Sequence, residues 1–303
     1  MRRVRRCLIA ATVAAICCGC GGAVRNHRDI PVGGRPVAKE ATKEELLAKY
    51  NACAEGLKSL NATVELKPTA GSKYSGVIDE YHEVKAFVLA ARPAWIRMIG
   101  QAPVIGKTVF DMTSDGETFR VSIPTKNKFI LGSTTVEKAS QKPIENLRPQ
   151  HLVDALLWPP VNKAEAVLFE EFNDENARYY VLTVLRGGYQ AEILRKIWFD
   201  RADLQVSRIQ TYGPKGTLVS DARFSDWRGV IQDQEHASGA AAAGPGEFPM
   251  AIRIERPHDD YKLELTVTKI MLNEDLGADR FMLQQPVGSE LVQVGDPQEK
   301  KQP

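Results

Sequence analysis

The chain has 303 residues, of which 26% are charged and 43% are hydrophobic, and its formal net charge is +2. This composition is that of a globular protein, and about 240 residues between the two ends are enough for one large core. The nearly neutral charge balance, with no basic stripe beyond the first six residues, argues against nucleic acid as a partner.

The first residues predict export from the cytoplasm. Residues 1–6 carry four arginines and no acid, and residues 8–18 are apolar apart from Thr12. That apolar block has about half of the 20 or so residues that a membrane-spanning helix needs. A basic start, a short apolar block and small residues after it are typical of a secretory signal peptide. We therefore predict a signal peptide over residues 1–19.

Cys20 is the predicted site of lipid attachment. Gly19 precedes it and two glycines follow, a pattern that resembles a bacterial lipobox, in which the cysteine receives diacylglycerol and fatty acids such as palmitate. Cys17 stands where leucine is usual, so Cys17 and Cys18 remain alternatives to Cys20. Several acyl chains on one cysteine anchor a protein stably. After such processing only Cys53 would remain, which excludes an internal disulfide and a thiolate metal site.

A flexible tether and then a helix are predicted next. Residues 20–41 are rich in glycine and proline and show no periodicity, which is typical of a flexible segment. Thr42 is a good N-cap, and Glu45 follows three residues later as its capping-box partner. Apolar residues then recur at helical spacing, so we predict a helix with one face on a sheet. These residues are Leu46, Leu47, Tyr50, Cys53 and Leu57.

Alternating apolar residues predict strands over most of the remaining chain. Asp115 and Gly116 lie between two alternating runs, which indicates a tight hairpin. The predicted strands are 60–66, 84–91, 95–100, 110–112, 119–123, 178–185, 191–200, 205–212, 218–227, 250–255 and 262–270. Short turns between strands with one apolar face predict a mainly β fold with a curved antiparallel sheet.

Three other segments interrupt or end this series. Residues 150–158 place four apolar side chains on one side and stop before two prolines, so a second helix is predicted there. Residues 237–246 are an alanine and glycine stretch that indicates an inserted loop. Residues 286–303 are polar and are predicted to be a disordered tail. The folded domain is therefore expected over residues 42–285.

No motif points to catalysis. Residues 100–108, GQAPVIGKT, have five residues between the glycines where a phosphate-binding loop has four, and a strand pattern follows instead of a helix. The chain has no G-x-S-x-G motif, and its histidines lie far apart in the sequence. We expect no enzymatic activity, no cofactor and no metal.

Residues 95–123, WIRMIGQAPVIGKTVFDMTSDGETFRVSI, resemble the LolA/LolB family of outer-membrane lipoprotein carriers and receptors, and the lipobox favours LolB. The helix HLVDALLWPP and the ending VTKIMLNEDLGADRFML, with its Asn-containing turn and final Phe, are also similar to that family. The resemblance implies an unclosed β-barrel lidded by helices, with a hydrophobic cavity for acyl chains.

The resemblance also implies particular functional residues. An apolar loop tip that helps to insert cargo into the membrane would be Val104 or Ile105, with Ile105 the closer match. The residues themselves agree, because two adjacent β-branched side chains between Pro103 and Gly106 have no evident core partner. Acyl-chain cavity candidates are Phe87, Leu89, Phe110, Met112, Phe119, Val121, Phe129, Leu157 and Trp158. Alternating apolar residues are also what any sheet core requires.

The leading functional hypothesis is a membrane-anchored lipoprotein that binds acyl chains and aids the localisation of lipoproteins or lipids. Gly21 is not acidic, and the sorting rule of enteric bacteria then favours the outer membrane, facing the periplasm. Expected partners are lipid acyl chains or lipoprotein cargo and a soluble periplasmic carrier similar to LolA. The alternative is an envelope sensor or structural lipoprotein that binds a partner protein.

Overall fold

A computed structural model describes residues 37–72, 77–80, 82–103, 106–134, 149–173, 177–188, 190–230 and 246–294. Helix α1 is Lys43–Gly56 and helix α2 is Gln150–Leu156. The strands are β1 Ser59–Ser72, β2 Val77–Glu80, β3 Val84–Ala91, β4 Trp95–Gln101, β5 Thr108–Ser114, β6 Thr118–Ile123, β7 Lys128–Ser133, β8 Ala166–Asn173, β9 Arg178–Arg186, β10 Glu192–Asp200, β11 Val206–Tyr212, β12 Leu218–Gly229, β13 Glu247–Arg256, β14 Tyr261–Leu272 and β15 Glu290–Val294.

The fifteen strands form one curved sheet that does not close. Its order is β15-β7-β6-β5-β4-β3-β1-β14-β13-β12-β11-β10-β9-β8, and β2 pairs with β1. Neighbours are antiparallel except for β15, which runs parallel to β7. The first strand, β1, lies in the middle of the sheet. Strands β3 to β7 extend outward from it in chain order, and strands β8 to β14 run from the opposite edge back to β1. This architecture confirms the predicted mainly β fold with an unclosed, curved antiparallel sheet.

One face of the sheet, which we call the inner face, packs against both helices. On β1 it carries Leu60, Ala62, Val64 and Leu66, all buried, whereas the residues between them are more exposed. This alternation follows from the pleat of a strand. Leu46 and Tyr50 of α1 and Leu152 of α2 belong to the same apolar cluster. The opposite face is called the outer face below.

Helix α1 begins where the sequence predicts it. The Thr42 hydroxyl accepts from Glu45 N at 3.2 Å, and the Glu45 carboxylate accepts from Thr42 N at 2.8 Å, which completes the capping box. The hairpin at Gly116 is also confirmed. There Asp115 Oδ1 accepts from the backbone of Glu117 and Thr118, and Gly116 adopts a φ of 98°. Both features depend on neighbours in the sequence, so short-range patterns predict them correctly.

The segment after β14 runs along the outer face of the first half of the sheet. Asn273, with a φ of 60°, accepts from Lys58 N at 2.8 Å and donates to Gly56 O at 2.8 Å. Further along, the carbonyl of Phe281 accepts from the Thr113 hydroxyl at 2.6 Å, and the Phe281 ring packs edge-on against Trp95 at 5.4 Å. The Asn-containing turn and the final Phe therefore join the end of the domain to its beginning.

Several elements differ from the sequence prediction. The tail predicted to be disordered from residue 286 contains β15, which pairs with β7 and whose first amide donates to Asn127 O at 2.9 Å. This strand forms because a free edge of the sheet is available to it, which is a tertiary effect. Strands β2, β7 and β8 were also missed. Nearly every residue of β8 is exposed, so it lacks the alternation that marks a strand.

No helix within the described ranges is long and apolar enough to cross a membrane. The predicted signal peptide, Cys20 and most of the predicted tether lie outside these ranges, as do Val104, Ile105 and nearly all of the alanine and glycine stretch at 237–246.

Arg92 ties the two helices to the sheet. Its guanidinium donates to Ala54 O at 2.6 Å in the last turn of α1 and to Leu57 O at 2.9 Å at the C-cap of that helix. It also donates to Trp158 O at 2.7 Å, just after α2. Burial lowers the pKa of this guanidinium. A cation at a helix C-terminus also opposes the negative end of the helix dipole.

We predict that Arg92→Met lowers the free energy of unfolding by about 2–4 kcal/mol, because three carbonyls lose a charged donor. Denaturant unfolding followed by circular dichroism measures the change. The matched control is Arg228→Met, since Arg228 pairs with Asp226 on the surface and should contribute less than about 1 kcal/mol. Equal effects of the two substitutions would contradict a central role for Arg92.

Candidate functional site

Tyr50 and Trp158 stack where α1 meets the chain after α2. Their rings are nearly parallel, with centroids 5.8 Å apart. The Tyr50 hydroxyl donates to Pro159 O at 2.9 Å, and Trp158 Nε1 donates to Ala155 O at 3.1 Å. Burial raises the pKa of Tyr50, so this phenol stays neutral. The two side chains form an aromatic wall, and the polar atom of each ring system is hydrogen-bonded to a backbone carbonyl.

Two aromatic residues of β12 extend this wall. Trp158 packs edge-on against Phe224 at 5.0 Å and against Trp227 at 5.9 Å. Strict alternation from Phe224 would place residue 227 on the outer face. Asp226, however, adopts a φ of 57° and breaks the regular strand conformation. This local distortion allows Trp227 to reach the inner side.

An apolar cleft lies between α1 and the ends of β12 and β13. It has a volume of about 280 Å³. Its lining residues are Lys49, Tyr50, Ala52, Cys53, Trp158, Gln205, Val206, Trp227, Gly246 and Glu247. A narrower void beneath it shares Cys53, Trp158 and Trp227 and reaches Leu57 and Phe248. Sites for small ligands usually hold about 300–1,000 Å³, so the cleft is at the small end of that range.

The rim of the cleft is polar, whereas its walls are apolar. Lys49 Nζ donates to Leu204 O at 2.7 Å, and the Gln205 amide donates to the Glu247 carboxylate. Burial lowers the pKa of Lys49, while the carboxylates of Asp203 and Glu247 act in the opposite direction. An occupant with a hydrocarbon part inside and a polar end at the rim would match this arrangement.

The predicted cavity residues divide into two groups by the face they occupy. Trp158 lines the cleft, and Leu157 beside it is buried in the core. Four others lie on the inner face of β5 and β6, as the strand pairing shows: Phe110, Met112, Phe119 and Val121. The ring of Phe110 covers Gly100, and that of Phe119 covers Gly132. These two rings therefore fill space that a glycine leaves open in the sheet.

Phe87, Leu89 and Phe129 lie on the outer face, so they do not face the space between the sheet and the helices. In β3 the inner positions belong to Ala86, Val88 and Ala90, all of which are buried. Phe129 lines a hollow of about 570 Å³ under residues 278–285, together with Trp95, Arg120 and Phe281. That hollow has charged and amide side chains, including Asp115 and Gln284, in its wall.

Of the ten residues that line the cleft, the sequence analysis named only Trp158 as a site residue. Tyr50 and Cys53 were assigned only to the packing face of α1, and their helical spacing is the signal that could have placed them near Trp158. Trp227 gave no such signal, because its orientation depends on the backbone at Asp226. Within the described ranges no group of three or more His, Cys, Asp or Glu side chains could hold a metal ion.

No family model and no curated protein matches the chain. Similar solved structures include a LolA superfamily protein from Nitrosomonas europaea, with 14% identity over 80% of this chain and 99% of that chain and a TM-score of 0.46. A DUF1329 family protein from Desulfovibrio piger has 14% identity over 78% and 97%, with a TM-score of 0.48.

An outer membrane lipoprotein-sorting protein domain from Vibrio parahaemolyticus has 11% identity over 78% and 94%, with a TM-score of 0.43. All three TM-scores are below 0.5 and all three identities are 14% or less. At these identities and TM-scores they carry no conclusion about function, and a closer relation to LolB than to LolA remains a prediction.

We predict that the Cys53 thiol reacts slowly in the native chain. Burial raises its pKa to about 11, although Lys49 acts in the opposite direction. Relative to an ordinary value near 9.0, the thiolate fraction near pH 8 falls about 100-fold. The rate of alkylation, measured by mass spectrometry of the peptide that contains Cys53, should rise with pH up to about 11. The denatured chain is the control, and equal rates in both states would contradict the burial of this thiol.

Proposed function

We propose that this chain is a membrane-anchored lipoprotein whose cleft binds an acyl chain, and that it aids the localisation of lipoproteins or lipids to the outer membrane. The observation that carries the proposal is the cleft itself, with aromatic and aliphatic walls and a polar rim at Lys49, Gln205 and Glu247. Binding of this kind is non-covalent, so the proposal includes no enzymatic activity and no cofactor.

The energetics of hydrocarbon burial fit a carrier. Each CH₂ group moved from water into an apolar site contributes about 0.8 kcal/mol, so a tail segment of several carbons is held firmly. Transfer of the same tail to a membrane exchanges one apolar environment for another and is nearly neutral. A cleft at the small end of the range for ligands suits part of one acyl chain rather than a whole diacyl lipid.

The anchor and the location are parts of the same proposal. Cys20 would carry the acyl chains, residues 20–41 would be the tether, and the absence of an acidic residue at position 21 favours the outer membrane, facing the periplasm. Stable anchoring by several acyl chains would keep the cleft close to the bilayer. A soluble periplasmic carrier similar to LolA is the proposed source of cargo.

The apolar pair Val104 and Ile105 is the proposed point of membrane insertion. The residues on either side of it are closely joined, since Ala102 N donates to Lys107 O at 2.9 Å and Gly106 N donates to Ala102 O at 3.1 Å. Gly106 has a φ of 62°, which suits a tight turn between β4 and β5. The described ends of the connection between β4 and β5 therefore lie close together, which supports the proposal of a short loop there.

The extensive packing of the inner face favours a second candidate, an envelope sensor or structural lipoprotein that binds a partner protein. Phe110 and Phe119 cover glycines of the sheet, and Leu157 is buried, so much of the inner face is filled by the chain's own side chains. In that case the cleft would be a packing defect without a ligand. A measurement of fatty acid binding distinguishes the two candidate functions.

We predict that Cys53→Phe weakens the binding of a dansyl-labelled fatty acid at least tenfold, because the added ring occupies the cleft. Fluorescence titration of the purified full chain measures the affinity. Cys53→Ala is the matched control at the same position and should bind as the unaltered chain does. If the chain binds no fatty acid, or if both substitutions leave the affinity unchanged, the proposed site is wrong.

We predict that Cys20→Ala moves the protein from the membrane to the soluble fraction of the cell, because the acyl chains are lost. Fractionation followed by immunoblotting measures the distribution. Cys18→Ala is the control and should remain in the membrane fraction. Release by the Cys18 substitution, with retention of the Cys20 variant, would show that the anchor had been placed on the wrong cysteine.

A further inference from the structure

A second hollow lies on the outer face of the sheet, under the chain that leads from β14 to β15. We call it the outer hollow and define it by six residues of its wall, namely Trp95, Asp115, Arg120, Phe129, Phe281 and Gln284. Its volume of about 570 Å³ is within the range of about 300–1,000 Å³ that is usual for sites of small ligands. None of the described residues lines both the outer hollow and the cleft, which lies on the inner side of the sheet.

The outer hollow exists because the chain above it is fixed to the sheet only near its ends. At one end, the carbonyl of Phe281 accepts from the Thr113 hydroxyl at 2.6 Å. At the other end, the Asn127 amide donates to Gly288 O at 3.0 Å. Within the described ranges, no backbone hydrogen bond joins residues 283–287 to a strand. The segment therefore crosses the sheet without pairing with it, and space remains beneath it.

The wall of the outer hollow is mainly apolar. The ring of Phe281 packs edge-on against that of Trp95, with the centroids 5.4 Å apart. Phe129 is only 4% exposed, whereas Met282, which also lines the hollow, is 62% exposed although it is large and apolar. A methionine side chain is flexible and adapts its shape to what it contacts. A flat apolar ligand would therefore find aromatic rings and an adaptable thioether in this wall.

Arg120 brings an unused cation to this apolar wall. It lies on β6 between Phe119 and Val121, which occupy the inner face, so its side chain is on the outer face. Among the described residues, its guanidinium has no hydrogen-bond partner and no ion-pair partner, and Asp115 acts on it only through the longer-range attraction of opposite charges. An arginine side chain has five N–H donors in a planar fork. These donors are available to a ligand in the outer hollow.

The charges in the wall select the kind of ligand. Of the described residues that line the outer hollow, Arg120 carries the only positive charge and Asp115 the only negative one. The Asp115 carboxylate already accepts from Glu117 N at 2.9 Å and from Thr118 N at 2.7 Å, so the turn that contains it stabilises its charge.

A guanidinium binds one carboxylate through two parallel hydrogen bonds, which matches the donors that Arg120 offers. A phosphate group carries a charge of about −1.5 to −2 at pH 7 and would lack a second cation here. A single carboxylate is therefore the better match.

We propose that the outer hollow is a second binding site, and that it takes a small carboxylate with a flat apolar body, such as an aromatic acid. The carboxylate binds the guanidinium of Arg120, and the apolar body lies against Trp95, Phe129 and Phe281. Aromatic rings pair well edge-on or offset, as Trp95 and Phe281 already do with each other. The occupant and the face of the sheet both differ from those of the cleft, so this inference goes beyond the proposed function and does not depend on the anchor at Cys20.

The test compares a charged and a neutral form of one ligand by isothermal titration calorimetry of the purified full chain. The probes are 2-naphthoate and 2-naphthamide, which share a ring system and differ in the carboxylate. We expect naphthoate to bind one-to-one and at least tenfold more tightly than the amide. Arg120→Met should remove that preference and leave the affinity for the amide within about twofold, because it removes the charge and keeps an apolar stem.

The matched control is Arg228→Met, since Arg228 pairs with Asp226 on the surface, and its preference for naphthoate should be unchanged. Circular dichroism checks that both variants are folded. Absence of naphthoate binding, equal affinities for the two probes, or a preference that survives Arg120→Met would each overturn the proposal.

The Cys53→Phe chain keeps the two binding proposals apart. It should bind naphthoate as the unaltered chain does, because the added ring lies in the cleft and not in the outer hollow. Loss of naphthoate binding in this variant would place the probe in the cleft and overturn the second site. Naphthoate binding without fatty acid binding in the unaltered chain would leave the outer hollow standing and remove the proposed acyl-chain site.

Discussion

The fold depends on β1, which forms hydrogen bonds along both of its edges. Its residues 60–70 pair with β14, and residues 59–66 pair with β3. Because each half of the sheet is a series of neighbouring strands in chain order, β1 is where the two halves join. Loss of either pairing would separate them and expose the inner face to water. The continuity of this one strand gives the sheet a single curved apolar face, which both helices then cover.

The cleft lies at the place where the two helices stop covering the inner face of the sheet. Arg92 donates to carbonyls at the C-terminal end of α1 and to the carbonyl of Trp158, so the ends of the two helical segments are joined through one side chain. Tyr50 and Trp158 fill that junction with stacked rings. Beyond it, the ends of β12 and β13 approach α1 through Trp227 and Glu247 without closing the space completely. The candidate binding site therefore lies where the helical cover meets the ends of β12 and β13.

The turn between β10 and β11 contacts both the incoming chain and the rim of the cleft. It holds the incoming chain through Arg201 and supports Lys49 through Leu204. An anchored carrier needs its opening near the membrane, because a hydrocarbon tail crosses water only at a cost of about 0.8 kcal/mol for each CH₂ group.

The sequence by itself determined the features that depend on near neighbours. The capping box at Thr42 and Glu45, the Asp115-Gly116 hairpin and most strands follow from local hydrogen bonds and from alternation of apolar residues. The tertiary structure alone decided which face each strand turns inward. In β3 both sets of alternate residues are mainly apolar, and Lys85 is the one local signal that separates the face of Phe87 and Leu89 from that of Ala86 and Val88. Strand β15 needed the free edge of β7, and Trp227 needed the distorted backbone at Asp226. These are long-range or conformational effects, and a periodic pattern in the sequence does not contain them.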